Sequence, residues 1–186
     1  MTRIYIQDRP GILKARHRWV KPTKIVIHHT AGGSLSGAVS HLKKLGLGYH
    51  YLIDKDGSVS CYVPPEKLCY HSFKRSGDSI GISYVGGQTP EHAINEKQME
   101  ALIHTIKHVK NRVPSVKYLT GHKHVDPRTK SSRWPNKVDP YWPGDTQKGY
   151  VDGHNWVNDE KYMGMLCSAT GLEFYSELVK YRDGKY

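Results

Sequence analysis

Residues 24–27 (KIVI) set three β-branched apolar side chains in an unbroken run, a pattern that predicts a short buried strand ending at His28. After Gly32-Gly33 the apolar positions change period: Leu35, Ala38, Val39, Leu42 and Leu45 recur at helical spacing before Gly46 and Gly48. This predicts a helix of about three turns. Residues 49–54 and 58–63 flank Lys55-Asp56-Gly57, and an Asp-Gly pair between two β-rich runs predicts a hairpin. Residues 79–85 (SIGISYV) read as a further strand closed by Gly86-Gly87. Met99, Leu102, Ile103, Ile106, Val109 and Val113 then mark one face of a long amphipathic helix, with Asn95 as its N-cap. Residues 116–119 form another short strand, followed by His122 and a polar, proline-bearing loop over 123–145 without periodicity. Loops of that length are commonly functional or disordered. Beyond Gly144 the pattern weakens, and Leu172, Tyr175, Leu178 and Val179 predict one face of a short C-terminal helix.

Strands and helices alternate, but one strand pair is a hairpin. The expected fold class is therefore α/β (α+β): a single domain with a central mixed β-sheet flanked by helices. A chain of 186 residues fits one core. Within it, residues 1–22 read as a basic segment made irregular by Pro10 and Pro22, 23–145 as the main folded domain, and 146–186 as a C-terminal extension packed on or flanking it. No internal repeat or flexible linker interrupts the chain.

Hydrophobic content of 37 % with 13 Tyr, 4 Trp and 2 Phe is enough for a core, with polar-tipped aromatics left for clefts. The formal charge of +11 attracts the chain to anionic polymers and to an anionic cell envelope. The basic residues fall in scattered pairs with no nucleic-acid signature, so nucleic acid is not expected as the main partner. Cys61, Cys69 and Cys167 make an odd count without a CxxC pair, which argues against a disulfide framework or a cysteine-rich metal site. No apolar run has the form of a signal peptide or the roughly 18 residues of a membrane span, so a soluble cytoplasmic product is expected, with monomer as the default state.

Two histidines follow predicted strands at once: His28 after KIVI and His122 after KYLTG. Strand ends on a rigid sheet aim side chains into clefts. Asp139 stands in Lys137-Val138-Asp139-Pro140. A catalytic zinc takes three protein ligands and keeps a fourth position for water, so two His and one Asp are an adequate set. The chain holds 12 His, and most histidines are surface or hydrogen-bonded residues; Asp139 alone reads equally as a turn residue before Pro140, and Lys137 as a solvated charge.

IVIHHTAGG, GYHYLIDKDGSV, SIGISYVGG, GHKHVDP and KVDPYWP occur in this order over residues 24–145. Together they resemble the type-2 N-acetylmuramoyl-L-alanine amidases, a family that shares its fold with peptidoglycan recognition proteins. Five ordered motifs are far more specific than any single one. The resemblance implies that His28, His122 and Asp139 hold one zinc ion, with His29 the neighbour rather than the ligand. Strand alternation agrees to this extent, that only one of two adjacent histidines can face a cleft. It implies further that Tyr49 and Lys137 are catalytic, Lys137 as a donor to the developing oxyanion, and that His71 contacts substrate. Related intracellular amidases carry Glu as an acid-base group where this chain has Ser83, which shifts the burden to Tyr49 and to water held by the metal. Trp134, in a segment longer than in compact members, shapes the groove or caps the core.

The expected function is zinc-dependent hydrolysis of the amide between N-acetylmuramic acid and L-alanine in bacterial peptidoglycan, as a phage endolysin for bacteriolytic cell wall degradation. Such an enzyme waits in the host cytoplasm and reaches the wall after release. The alternatives are a cytoplasmic amidase that recycles muropeptides and a non-catalytic module that binds peptidoglycan.

Overall fold

The computed structural model describes residues 4–87, 90–126 and 156–177. They form a seven-stranded sheet in the order β1-β4-β3-β5-β2-β6-β7. The strands are β1 (Ile6–Asp8), β2 (Lys24–His29), β3 (Tyr51–Ile53), β4 (Val59–Cys61), β5 (Ser79–Tyr84), β6 (Tyr118–Gly121) and β7 (Glu173–Phe174). Only β3 and β4 pair antiparallel; every other neighbouring pair is parallel. The sheet is mixed, as the alternation of elements predicted. In the expected hairpin the Asp54 and Ser58 backbones bond at 2.9 Å, and Gly57 takes the left-handed φ of 86° that the turn requires.

Each strand divides its residues between two dissimilar faces. Ile25, Ile27, Tyr51, Ile53, Ile80, Ile82 and Tyr84 point to one side and pack against α2 (Glu96–Arg112) and α4 (Trp156–Thr170), through Leu102, Ile106, Val109, Met163 and Leu166. On the alternate side β5 presents Ser79, Gly81 and Ser83, β6 presents Thr120, and β2 presents Val26 and then His28. On this second face α1 (Leu35–Leu45) covers only the β3 side, through Leu35, Val39 and Leu42 against Leu52, Tyr62 and Val63. Thus the middle of the face stays open to loop side chains.

Helix α2 begins as predicted at Asn95, in a reciprocal capping box. The Asn95 side chain accepts from the Gln98 backbone N–H at 2.9 Å, and the Gln98 side chain accepts from the Asn95 N–H at 3.3 Å. Asn95 also donates to the Lys55 carbonyl at 2.9 Å, joining the helix start to the hairpin turn. Asn95→Ala is expected to cost about 1–2 kcal/mol, lowering the melting temperature by a few degrees in a thermal denaturation.

Both ends of the chain depart from expectation. Residues 1–22, read as irregular, supply β1, which pairs with β4, and bury Leu13. At the other end the expected helix over 172–179 is not found in its described part. Helix α4 ends at Gly171, whose φ of 64° reverses the chain; Leu172 turns into the core, and Glu173–Phe174 pair with Tyr118 and Leu119. The apolar spacing of Leu172 and Tyr175 had suggested a helix, but the parallel edge of β6 offers unpaired backbone groups that a strand satisfies. Residues 178 and 179 lie outside the described residues.

Among the described residues, no helix is long and apolar enough to cross a membrane.

Candidate active site

His28 sits one residue from the end of β2, in register with Ser83 of β5, and is 2 % exposed. Its ring centroid lies 4.6 Å from that of His122, 4.8 Å from Tyr49 and 5.1 Å from His71. Four residues singled out from the sequence, up to 94 positions apart in the chain, thus meet on the open face of the sheet. His29 points to the other face, 3.3 Å from the Gly86 carbonyl through Nδ1, and burial lowers its pKa to about 4. The strand therefore sorts the two adjacent histidines as alternation requires.

Each residue is held by a different element. Tyr49 precedes β3; His71 lies between β4 and β5; His122 opens the short helix α3 (His122–Val125), directly after β6. The His71 backbone N–H is tied to Ser76 Oγ at 3.0 Å. His122 Nε2 is 2.9 Å from Asp126 Oδ2, and Asp126 is buried. An imidazole that gives Nε2–H to a carboxylate keeps its Nδ1 lone pair for another partner.

Burial, joined by the nearby rings of His122 and His71, holds the His28 pKa well below the ordinary histidine value. His71 is lowered for the same first reason. Tyr49 keeps part of its surface open to the cleft, yet burial pushes its phenol up to about 12. The Ser83 hydroxyl pulls the other way, but burial outweighs it. At neutral pH Tyr49 is a hydrogen-bond donor and not a proton acceptor.

His28 Nδ1 is buried and has no hydrogen-bond partner among the described residues. A buried polar atom left without a partner costs free energy, and a lone pair on such an atom is able to take a ligand or ion. The donor set fits zinc: two imidazoles side by side, each with its second nitrogen engaged by the protein. Among the described residues no three His, Cys, Asp or Glu side chains converge as a metal-holding group. Asp139, Lys137 and Trp134 lie outside the described residues, so the third expected ligand and the expected oxyanion donor do too.

A cavity of about 1030 Å³ opens over the cluster. Tyr49, His71 and His122 border it; Ala38, His41, Leu42 and Leu45 of α1 form one wall, and Tyr70, Phe73 and Lys74 another. Tyr70 and Phe73 are each almost half exposed. The cavity is at the upper end of ligand-pocket sizes and suits an extended ligand with both apolar and polar groups.

The family model for N-acetylmuramoyl-L-alanine amidase matches residues 18–141, two thirds of the chain. This chain belongs to that family. Solved amidase-family structures share the fold. The N-acetylmuramoyl-L-alanine amidase LysC from Clostridium intestinale URNW is 23 % identical with a TM-score of 0.58, over 67 % of this chain and 87 % of that one. The Ph2119 endolysin from Thermus scotoductus MAT2119 bacteriophage Ph2119 is 25 % identical with a TM-score of 0.54, over 67 % and 90 %. The Drosophila peptidoglycan recognition protein SD is 20 % identical with a TM-score of 0.55, over 77 % and 99 %. No curated protein matches. The amidase-family match spans β2 to the KVDP motif, and therefore all four clustered residues.

Sequence reasoning missed several supports of the site. His50 is fully buried beneath it: Nδ1 accepts from the Gly81 N–H at 2.9 Å, and Nε2 lies 3.1 Å from the Lys67 carbonyl. Arg18, from the segment read as irregular, donates to the Gly77 and Ser79 carbonyls and so ties the N-terminal strand region to the His71 loop. Asp126 stands four residues after His122, a spacing that puts both on one helix face and was open to detection. His50 stands in the GYHYLIDKDGSV motif but was passed over beside Tyr49, and nothing local in the chain marked Arg18.

Proposed function

We propose that this protein is a zinc-dependent N-acetylmuramoyl-L-alanine amidase that acts on bacterial peptidoglycan as a phage endolysin. The observation that carries the reading is the buried Nδ1 of His28, without a partner among the described residues, beside His122, whose other nitrogen faces Asp126, at the base of a large cavity. In this reading His28, His122 and Asp139 hold the metal. Zinc, when bound, supplies a nucleophilic water at neutral pH and Lewis-acid polarisation of the carbonyl.

The protein's own groups do the rest. The cavity binds the glycan and stem peptide on either side of the scissile amide and excludes water from the reacting groups. Tyr49, neutral at working pH, donates a hydrogen bond to the substrate or orients the attacking water. Lys137, two residues before Asp139, donates to the oxygen that gains charge as the amide carbonyl is attacked. His71 presents its ring to the substrate from the cavity wall. Ser83 stands in for the acidic residue of intracellular relatives, but its hydroxyl cannot serve as a base. That absence, the likeness to the Ph2119 endolysin and the net charge of +11 support the lytic role over muropeptide recycling. Storage in the host cytoplasm until release belongs to the same proposal.

The deciding experiment follows turbidity of purified sacculi, with product analysis, for wild type and His122→Ala, each with and without chelator. Zinc-dependent release of free stem peptides by wild type alone supports the proposal. Release of reducing sugar ends would make the protein a glycosidase, and binding without cleavage would make it a recognition module. A marked preference for soluble anhydro-muropeptides over sacculi would transfer it to recycling.

A further inference from the structure

The hydrogen bonds behind the cluster can be put in order from the proton count of each group. Ser79 Oγ donates its single proton to the Arg75 carbonyl, so towards His71 Nε2, 3.4 Å away, it can only accept. His71 Nε2 therefore carries the proton of that ring. A neutral imidazole has one N–H, which leaves a lone pair on His71 Nδ1, and this atom faces His28 Nε2 at 3.0 Å. The contact is a hydrogen bond only if His28 Nε2–H is its donor. By the same count His28 Nδ1 bears a lone pair, and it is the nitrogen that has no partner among the described residues.

The packing leaves His71 little choice of place. Its backbone is fixed by Ser76, whose hydroxyl accepts from the N–H groups of His71 and Ser72 and donates to the Ser72 carbonyl at 2.7 Å. Its ring lies so close to the Gly81 backbone that a Cβ on residue 81 would stand 2.7 Å from the ring carbon Cγ.

We propose that His71 is a positioning residue: braced by Ser79 and seated on Gly81, it holds His28 in the Nε2-protonated tautomer and so reserves the Nδ1 lone pair for a metal ion. This rests on the reading of His28 as a metal ligand. It also narrows what His71 can offer substrate, because both of its nitrogens are engaged within the protein and only ring carbons remain for contact. The ordering runs from the Arg75 carbonyl through Ser79 and His71 to His28, and it parallels the simpler support that Asp126 gives His122.

The test uses the full chain labelled with ¹⁵N-histidine. Imidazole spectra of the metal-free protein report the His28 tautomer, with its signals assigned by their loss in His28→Asn, and zinc affinity is measured by competition with a chromophoric chelator. Wild type is expected to show His28 protonated at Nε2. His71→Phe, which cannot accept a hydrogen bond, is expected to populate the Nδ1–H form and weaken zinc binding about 10- to 100-fold. His71→Gln, whose amide oxygen can accept from His28, is expected to recover part of that loss, a pattern a merely structural role would not produce. Ser79→Ala is expected to shift both readouts in the direction of His71→Phe by a smaller factor, and it decides the matter if His71→Phe does not fold. An unchanged tautomer together with unchanged zinc affinity in His71→Phe, or in Ser79→Ala in that event, would overturn the proposal. Failure of wild type to bind zinc would instead sink the metal reading, while the tautomer in the metal-free samples would still decide the relay.

Discussion

His28→Ala and His122→Ala are each expected to reduce sacculus hydrolysis by at least about a thousandfold, to the level of the enzyme-free control. The proposed chemistry depends on a metal that would make water acidic enough to act at neutral pH, and with a ligand gone that activation would go too. Bound zinc, measured by elemental analysis after desalting, should fall from one ion per chain to near zero in both variants. The two substitutions differ in a useful way. His28 is buried at the end of a central strand, where its loss leaves a hole, whereas His122 stands on α3 beside the cavity with part of its surface exposed. Equal loss of zinc and activity in both, with the His122 variant keeping the wild-type melting profile of the metal-free protein, would show that the defect lies in the site and not in the fold. Retention of activity by either would refute the ligand assignment.

Gly81→Ala should produce the largest stability loss of any single-methyl addition to the sheet. The new Cβ would meet His71 Cγ at 2.7 Å, Nδ1 at 2.8 Å and Cδ2 at 3.0 Å. The ring cannot retreat easily, because His28 Nε2 stands 3.0 Å from its Nδ1 and Ser76 fixes its backbone. The glycine cannot retreat either: its carbonyl accepts from the His50 N–H at 2.9 Å, and its own N–H donates to His50 Nδ1 at 2.9 Å. Overpacking of this kind typically costs about 1–3 kcal/mol, which for a chain of this size lowers the melting temperature by roughly 2–12 °C. The contrasting control is Gly164→Ala on an exposed turn of α4, where a Cβ meets nothing within 4 Å. There alanine is expected to stabilise by about 0.5–1 kcal/mol through backbone entropy. Equal melting temperatures for the two variants would show that the ring of His71 does not sit where the structure puts it. Zinc affinity should fall in Gly81→Ala as well, since the displaced ring no longer meets His28.

The elements with strong local signatures were legible in the chain. The KIVI run, the Asp-Gly hairpin, the SIGISYV strand and the helix after Asn95 appear close to where periodicity and capping chemistry put them. His28, Tyr49, His71 and His122 could be singled out by resemblance, and their convergence into one cluster is consistent with that reading. Helix α4 was not legible. Its apolar residues Tyr162, Met163, Met165, Leu166 and Cys167 spread around the helix rather than forming a narrow stripe, while the buried pair Met163 and Leu166 serves a core built mainly by distant elements. The terminal strands β1 and β7 were missed for a related reason. Both are two or three residues long and gain their backbone hydrogen bonds from strands elsewhere in the chain.

What the sequence alone determined is the local code: which segments alternate, which wind into helices, where turns and caps lie, and that only one of His28 and His29 can face a given side of the sheet. Each of these depends on neighbours within a few residues, so the chain states them directly. The tertiary structure decided which face is the functional one. The open face exists because Ser79, Gly81, Ser83 and Thr120 come into adjacent strands and present side chains too small to fill the space above the sheet. His71 and Tyr49 occupy that space because His71 is seated on Gly81 of β5 and Tyr49 leads into β3, which pairs parallel with β5 from Tyr51 and Ile82 onward. Parallel pairing joins segments far apart in the chain, and its register is set by burial across the whole sheet rather than by any local pattern.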